Sequence, residues 1–155
     1  MSIRLLITSF FFLFILLSNA QTQPVFQKID QTQGLSSTRI TGIVKEKGGY
    51  VWISTQYGLN RYDGFEVKTF SKQNSNIPTN DIAGLFLDSN NRLWLNTYGK
   101  GLMFYDKPSS TFIAYKHDPE NKHSLSSNRI NTIQEGQNNS LWLGTEKGLC
   151  QFDIE

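Results

Sequence analysis

From Ile40 onward, hydrophobic and polar residues alternate over short stretches separated by Gly, Asn and Asp. A period of two over four to six residues is the mark of a half-buried strand, whereas an amphipathic helix would show 3.6. The first such region predicts four strands: Ile40 to Val44, Tyr50 to Thr55, Leu59 to Tyr62 and Glu66 to Phe70. Lys47-Gly48-Gly49 reads as a hairpin turn at positive φ, which Gly adopts without steric cost. Gln56-Tyr57-Gly58 supplies the next turn, and Asp63-Gly64 reads as a two-residue hairpin connection. The four prolines, at 24, 78, 108 and 119, all fall outside the expected strands, as ladder hydrogen bonding requires.

The pattern repeats. Trp52, Trp94 and Trp142 stand 42 and 48 residues apart, and Ile40, Ile82 and Ile130 keep the same intervals, as do Thr55, Thr97 and Thr145. Gly58-Leu59, Gly101-Leu102 and Gly148-Leu149 follow with one residue of slack, and Tyr62-Asp63, Tyr105-Asp106 and Phe152-Asp153 close each set. Asn90-Asn91 and Asn138-Asn139 stand where the first unit has Gly48-Gly49; Asn is the next best residue at positive φ. Four antiparallel strands in a unit of roughly 40–45 residues is the blade of a β-propeller. The expected fold is therefore all-β: an incomplete propeller arc of three four-stranded antiparallel blades, the last unfinished. The expected divisions are a lead-in at 21–33 carrying an outer strand at Pro24 to Asp30, then blades at 34–76, 77–124 and 125–155. The three tryptophans are expected to wedge between blades, and Gly58, Gly101 and Gly148 to serve the turns. Closed propellers use about 4–8 blades, so three leave an open arc and a chain of marginal stability.

Residues 1–20 read differently. Arg4 precedes an apolar run from Leu5 to Leu17, and Ser18-Asn19-Ala20 fits a small-x-small cleavage site. The run is short of the roughly 20 residues of a spanning helix, so a secretory signal and export are expected. No second apolar segment follows, so membrane attachment is expected only through segments beyond this sequence.

WISTQYGLNRYDG (52–64) and the opening FQKIDQTQGLSSTRI (26–40) resemble the two-component regulator propeller family. Its repeat runs from Trp-Ile-Gly-Thr into Gly-Leu-Asn-Arg-Tyr-Asp-Gly. Ser54 and Asn96 depart from the family's glycine, which Gly144 keeps, and Tyr98-Gly99-Lys100 is one residue longer than its counterparts. The resemblance implies the extracytoplasmic sensor region of a membrane histidine kinase, tethered to the inner membrane, often responsive to polysaccharide breakdown products. It also implies that this chain is an N-terminal piece, whose partners are further blades and kinase modules of a longer protein. The alternative is a secreted propeller scaffold that binds protein or glycan without signalling; a propeller lyase or glycosidase stands third.

Charge and chemistry narrow the field. Fifteen Lys and Arg against thirteen Asp and Glu give a net charge of +2, too little for a phosphate-binding face, so nucleic acid is not an expected partner. One cysteine, Cys150, excludes an internal disulfide framework and reads as a packed small apolar residue. His117 and His123 share the polar stretch KHDPENKH, which reads as a solvated loop rather than a metal site. Asp88-Ser89-Asn90-Asn91 lacks the Gly and distal Glu of a calcium loop and reads as a turn. No nucleophile elbow is present, so no catalytic residue, metal or cofactor is expected. A binding site is expected on the loops at one propeller face. There Arg39, Asp81 and Arg129 occupy equivalent positions, and Tyr57, Tyr98, Lys100 and Asn128 lie nearby. Aromatic faces among charges of both signs suit an oligosaccharide.

Overall fold

The computed structural model describes residues 24–154, so the expected signal at 1–20 lies outside the described residues. Eleven strands run β1 (Ile40–Lys45), β2 (Val51–Thr55), β3 (Gly58–Tyr62), β4 (Val67–Phe70), β5 (Ile82–Leu87), β6 (Leu93–Thr97), β7 (Leu102–Asp106), β8 (Thr111–Tyr115), β9 (Ile130–Glu135), β10 (Ser140–Thr145) and β11 (Gly148–Asp153). They form three antiparallel meanders, β1-β2-β3-β4, β5-β6-β7-β8 and β9-β10-β11. These are two complete blades and one three-stranded blade of a propeller. Strands β1, β5 and β9 are the first of each blade, and β1 packs on β5 as β5 does on β9.

The turns differ in detail from expectation. Of the Gly pair only Gly49 takes a positive φ, at 96°, and of Asn90-Asn91 only Asn91, at 61°, whereas Asn138 and Asn139 both do. In the first two blades the turn needs one left-handed residue because a backbone bond, Gly49 N to Glu46 O or Asn91 N to Asp88 O, closes it after three residues. Asp63-Gly64 belongs to a longer connection than a two-residue hairpin. Asp63 Oδ1 accepts from the N–H groups of both Phe65 and Glu66 at 2.8 Å, so the carboxylate itself shapes the loop.

Packing between blades is aromatic. Trp52 of the first blade stacks edge-on to Tyr105 of the second at 5.0 Å, with Phe70 and Phe112 closing the cluster. One interface further on, Trp94 meets Phe152 at 5.7 Å in the same edge-on manner. Trp52 and Trp94 are each 1% exposed, but Trp142 is 39% exposed. The wedge expected of all three tryptophans is seen at Trp52 and Trp94, and Trp142 lies on the last described blade. Its face of the third sheet has no further blade against it among the described residues.

The two departures from the repeat's glycine have a cross-strand explanation. Ser54 pairs with Gly42, Asn96 with Gly84, and Gly144 with Thr132. Each blade places one glycine opposite one polar side chain, and the third blade has exchanged the two sides. The exchange is sterically complete: a Cβ on Gly84 would lie 2.8 Å from Asn96 Oδ1, and one on Gly144 2.7 Å from Thr132 Cγ2. The side chains so accommodated fasten blades together or brace the strand. Asn96 Nδ2 donates to Ile130 O of the third blade at 3.1 Å, and Ser54 Oγ accepts from Thr41, whose hydroxyl also lies 2.7 Å from Ile82 O of the second.

The lead-in, expected to complete the last blade of a full ring, has no such blade to join among the described residues. Residues 24–30 form no strand, and none of the three sheets takes them up. Val25 and Phe26 are 92% and 93% exposed. A strand needs a neighbouring edge to satisfy its backbone groups, and here none is in register. The lead-in is anchored only from Asp30 onward. There a short 3-10 turn, Gln31–Gln33, is capped at its start by reciprocal bonds of the Asp30 and Gln33 side chains and at its end by Gly34, and Leu35 is buried.

Candidate functional site

Two sets of loops meet at one end of the blades because the first strand of each starts opposite the end of the second. Ile40 pairs with Thr55, Ile82 with Thr97, and Ile130 with Thr145. The residue before each isoleucine and the turn after each threonine therefore share a face, with Arg39, Asp81 and Arg129 on one set and Tyr57, Tyr98, Lys100 and Glu146 on the other.

This face is built on hydroxyl groups whose recurrence is visible in sequence but whose task is not. Arg39 N donates to Ser37 Oγ at 3.0 Å, Asp81 N to Thr79 Oγ1 at 3.1 Å, and Arg129 N to Ser127 Oγ at 3.1 Å. In the opposing turns Thr55, Thr97 and Thr145 each accept from a turn N–H, of Tyr57, Lys100 and Lys147, at 2.9–3.1 Å. The same threonine hydroxyls donate to the carbonyls of Gly58, Gly101 and Gly148 at 2.8–3.0 Å. Each hydroxyl thus closes its turn from both sides, so the charged and aromatic side chains project from backbone that is held in place.

Among the expected site residues, the structure joins some and separates others. Tyr98 and Arg129 form an isolated antiparallel bridge between the second and third blades. Arg129 lies 3.8 Å from Glu146, and its carbonyl accepts from Glu146 N at 3.1 Å. Tyr57, Lys100 and Arg39 are exposed. Asp81 is half-buried, and its Oδ1 is shielded from solvent with no hydrogen-bond partner among the described residues. Asn128 is engaged in hydrogen bonds of the framework. Its Oδ1 accepts from His117 N at 2.7 Å and its carbonyl accepts from Gly101 N at 2.9 Å, so it secures the second-to-third blade connection. His117 is part of the same fastening, with Nδ1 bonded to Leu125 O.

Sequence reading missed a second polar system, at the opposite blade end. Glu46 and Asp88 are buried and each lies six residues before its blade's tryptophan. Glu46 Oε2 accepts from Trp52 Nε1 at 3.1 Å and pairs with Lys107 Nζ of the second blade at 2.8 Å. Asp88 Oδ2 accepts from Trp94 Nε1 at 3.0 Å and from Arg92 Nε at 2.6 Å. Burial pushes the Asp88 carboxyl up, but the bonds from Trp94 and from the Arg92 backbone and guanidinium, with the Arg92 charge, outweigh it. The net effect holds it below the usual carboxylate range. The available signal was an acid at a fixed distance before Trp in two of three units; the third has Gly136 there.

Residues 124–147 match the family described as Two component regulator propeller. The chain carries the two component regulator propeller repeat. The matched residues run from the loop before β9 to the turn after β10, and so include Arg129, Trp142 and the Thr145 turn. Over 136 residues the chain is 33% identical to Histidine kinase P4 of Formosa agariphila, covering 82% of this chain and 10% of that protein. The extracellular domain of the hybrid two component system BT3049 of B. thetaiotaomicron superposes with a TM-score of 0.74 at 28% identity. That match covers 83% of this chain and 19% of that one. A streptogramin B lyase, at 18% identity and a TM-score of 0.52 over 78% of this chain and 42% of that one, shares the fold alone. The chain spans about a tenth of the length of the curated relative and about a fifth of the solved extracellular domain. Asn60 is fully buried, accepts from Ser36 N and Thr69 Oγ1, and donates to Ile53 O, locking the lead-in onto the first blade.

Proposed function

We propose that this chain is the ligand-sensing propeller portion of an extracytoplasmic two-component sensor histidine kinase, with no catalysis of its own. The observation that carries the reading is the regulator propeller repeat together with 28% identity to the extracellular domain of a hybrid two component system. The apolar leader at 5–17 supports export. The ligand class is a polar, carbohydrate-like molecule, taken on the loop face of Arg39, Tyr57, Asp81, Tyr98, Lys100 and Arg129. Exposed tyrosine rings offer stacking surfaces, and the arginines and lysine offer donors. Because the turns beneath are closed by hydroxyls, a ligand bridging Tyr98 and Arg129 would act directly on the angle between the second and third blades. Such a change in blade angle is the signal passed towards the kinase modules of a longer receptor.

The test is calorimetric titration of neutral and acidic oligosaccharides into the complete propeller region. A saturable heat, with affinity lowered at least about tenfold by Arg39→Ala and by Tyr98→Ala, is the expected outcome. Binding indifferent to both changes would place the ligand elsewhere, and no binding across the panel would remove the carbohydrate assignment.

A further inference from the structure

The loop face is not evenly built. At the seam between the second and third blades, Tyr98 and Arg129 stand opposite each other in an isolated antiparallel bridge. Residues so paired carry their Cβ atoms about 4.5–5.5 Å apart, so a phenol ring and a guanidinium set out from one place. Lys100 follows two residues after Tyr98, and Lys147 leaves the turn whose Glu146 N–H donates to Arg129 O at 3.1 Å. Three cationic side chains thus share the seam with one tyrosine, and all four are exposed. The cations leave from backbone that hydroxyls hold in place. Arg129 N donates to Ser127 Oγ at 3.1 Å, Lys100 N to Thr97 Oγ1 at 2.9 Å and Lys147 N to Thr145 Oγ1 at 3.1 Å.

At the opposite blade end the cations are already in use. Arg92 lies 2.6 Å from Asp88 and Lys107 2.8 Å from Glu46, both acids being buried, and Lys47 Nζ donates to Ser89 O at 3.0 Å. Those contacts fasten the framework. At the seam the only ion pair among the described residues joins Arg129 Nη1 to Glu146 Oε1 at 3.8 Å, with both side chains more than half exposed. It alone of the four described ion pairs is too long for a hydrogen bond. An exposed pair at that distance holds neither side chain. Neither Lys100 nor Lys147 pairs with a carboxylate among the described residues.

A single exposed lysine is ordinary solvated surface. Here three cations, one loosely held acid and an aromatic ring meet on fixed backbone. The whole chain carries a net charge of +2, and this seam alone accounts for as much. Asp81, the other acid of the face, is half-buried with Oδ1 shielded from solvent, so it presents less charge than Glu146 does.

We infer that this seam takes the anionic group, a carboxylate or a sulfate ester, of an acidic saccharide. The sugar ring lies against Tyr98, and Arg129 exchanges Glu146 for the oxygens of the ligand, which its planar fork meets with two N–H groups. Lys100 and Lys147 add positive charge beside it. Glu146 is the internal competitor, turned towards Arg129 when the face is empty and released when a ligand anion arrives. The inference rests on the sensory reading and narrows it to the charge of the ligand and to one seam.

The experiment is calorimetric titration of the full chain with tetragalacturonate, with its fully methyl-esterified form, and with a sulfated tetrasaccharide free of uronic acid. At least one anionic sugar should bind about tenfold or more tightly than the neutral ester. That advantage should shrink as sodium chloride rises from about 0.05 to 0.5 M. The two anionic arms tell a carboxylate ligand from a sulfate ester. Arg129→Gln and Lys100→Gln should each bring the acidic ligand towards the affinity of the ester. Glu146→Gln should instead tighten the acidic ligand by about two- to fivefold with no comparable gain for the ester, because a competing charge is gone. Unchanged circular dichroism spectra of the three variants confirm that the fold is kept. An ester that binds as tightly as the acids, or an acidic ligand indifferent to Glu146→Gln, would overturn the charge assignment and leave the sensory reading standing. Sodium sulfate competing as well as the saccharides would overturn it by showing an anion site without sugar recognition. No heat from any saccharide, neutral or acidic, would overturn both.

Discussion

Trp94 donates its indole N–H to Asp88, six residues earlier in the chain, at 3.0 Å. Trp52 makes the corresponding bond to Glu46 at 3.1 Å, and Trp142 has Gly136 in that position. The indole is thus held by its polar end within its own blade while its ring is pressed into the next. A buried Trp with an unpaired N–H would lose about 1–3 kcal/mol, so the acid keeps an aromatic wedge compatible with a dry interface. The third blade lacks both acid and cover, and its tryptophan is partly solvated.

Truncating the tryptophans should separate these environments. Trp52→Ala and Trp94→Ala are each expected to lower the free energy of unfolding by about 3–5 kcal/mol. Trp142→Ala should cost less than about half as much, since its ring is only partly covered. Urea melts of the three variants give the ranking, and an equal loss at Trp142 would contradict the open face.

Acid should weaken the second blade through Asp88. Its carboxyl pKa is lower in the folded chain than in the unfolded one. The stabilisation is therefore complete above the unfolded value of about 3.9 and is lost as pH falls through the lower folded value. Asp88→Asn keeps an acceptor for Trp94 but removes the ion pair with Arg92. Stability of this variant should fall by about 1–3 kcal/mol at pH 7 and should change less than wild type between pH 5 and 2. Thermal melts across that range supply the comparison.

The glycines of the second-to-third strand turns should be unequal. Gly58, Gly101 and Gly148 all have positive φ. A Cβ on Gly101 would collide with the Tyr115 carbonyl oxygen, whereas one on Gly148 meets nothing within 4 Å. Gly148→Ala is expected to cost about 1–2 kcal/mol for the left-handed backbone alone. Gly101→Ala must also displace the fourth strand and should cost clearly more. Denaturation midpoints of the two variants check the difference.

The exchanged glycine pair offers a rescue test. Gly84→Thr alone should destabilise by about 2–3 kcal/mol through collision with Asn96. Adding Asn96→Gly recreates the third blade's Thr132–Gly144 arrangement and should recover most of the loss, less about 1 kcal/mol for the Asn96 bond to Ile130. A double-mutant cycle that is simply additive would show that the pair is not sterically coupled.

Much of the architecture was legible in the chain itself. Period-two alternation, breakers at fixed intervals and three tryptophans 42 and 48 residues apart determine strands, meander and blade, because they are local properties of backbone and turn. Even the grouping of Arg39, Asp81 and Arg129 on one face follows from counting along the repeat. Tertiary structure alone decided what each equivalent position does. Identical letters acquire different roles when the neighbouring sheet changes: Trp94 is buried by a following blade and Trp142 is not, and Leu59 and Leu102 are covered while Leu149 is exposed. Asn128 stands beside that face along the chain, and only the fold shows that its Oδ1 also accepts from His117 N. Phe26 belongs to a strand pattern yet forms no strand, because a strand exists only where another edge completes its hydrogen bonds. Repetition specifies a blade; burial of its faces depends on what stands on either side.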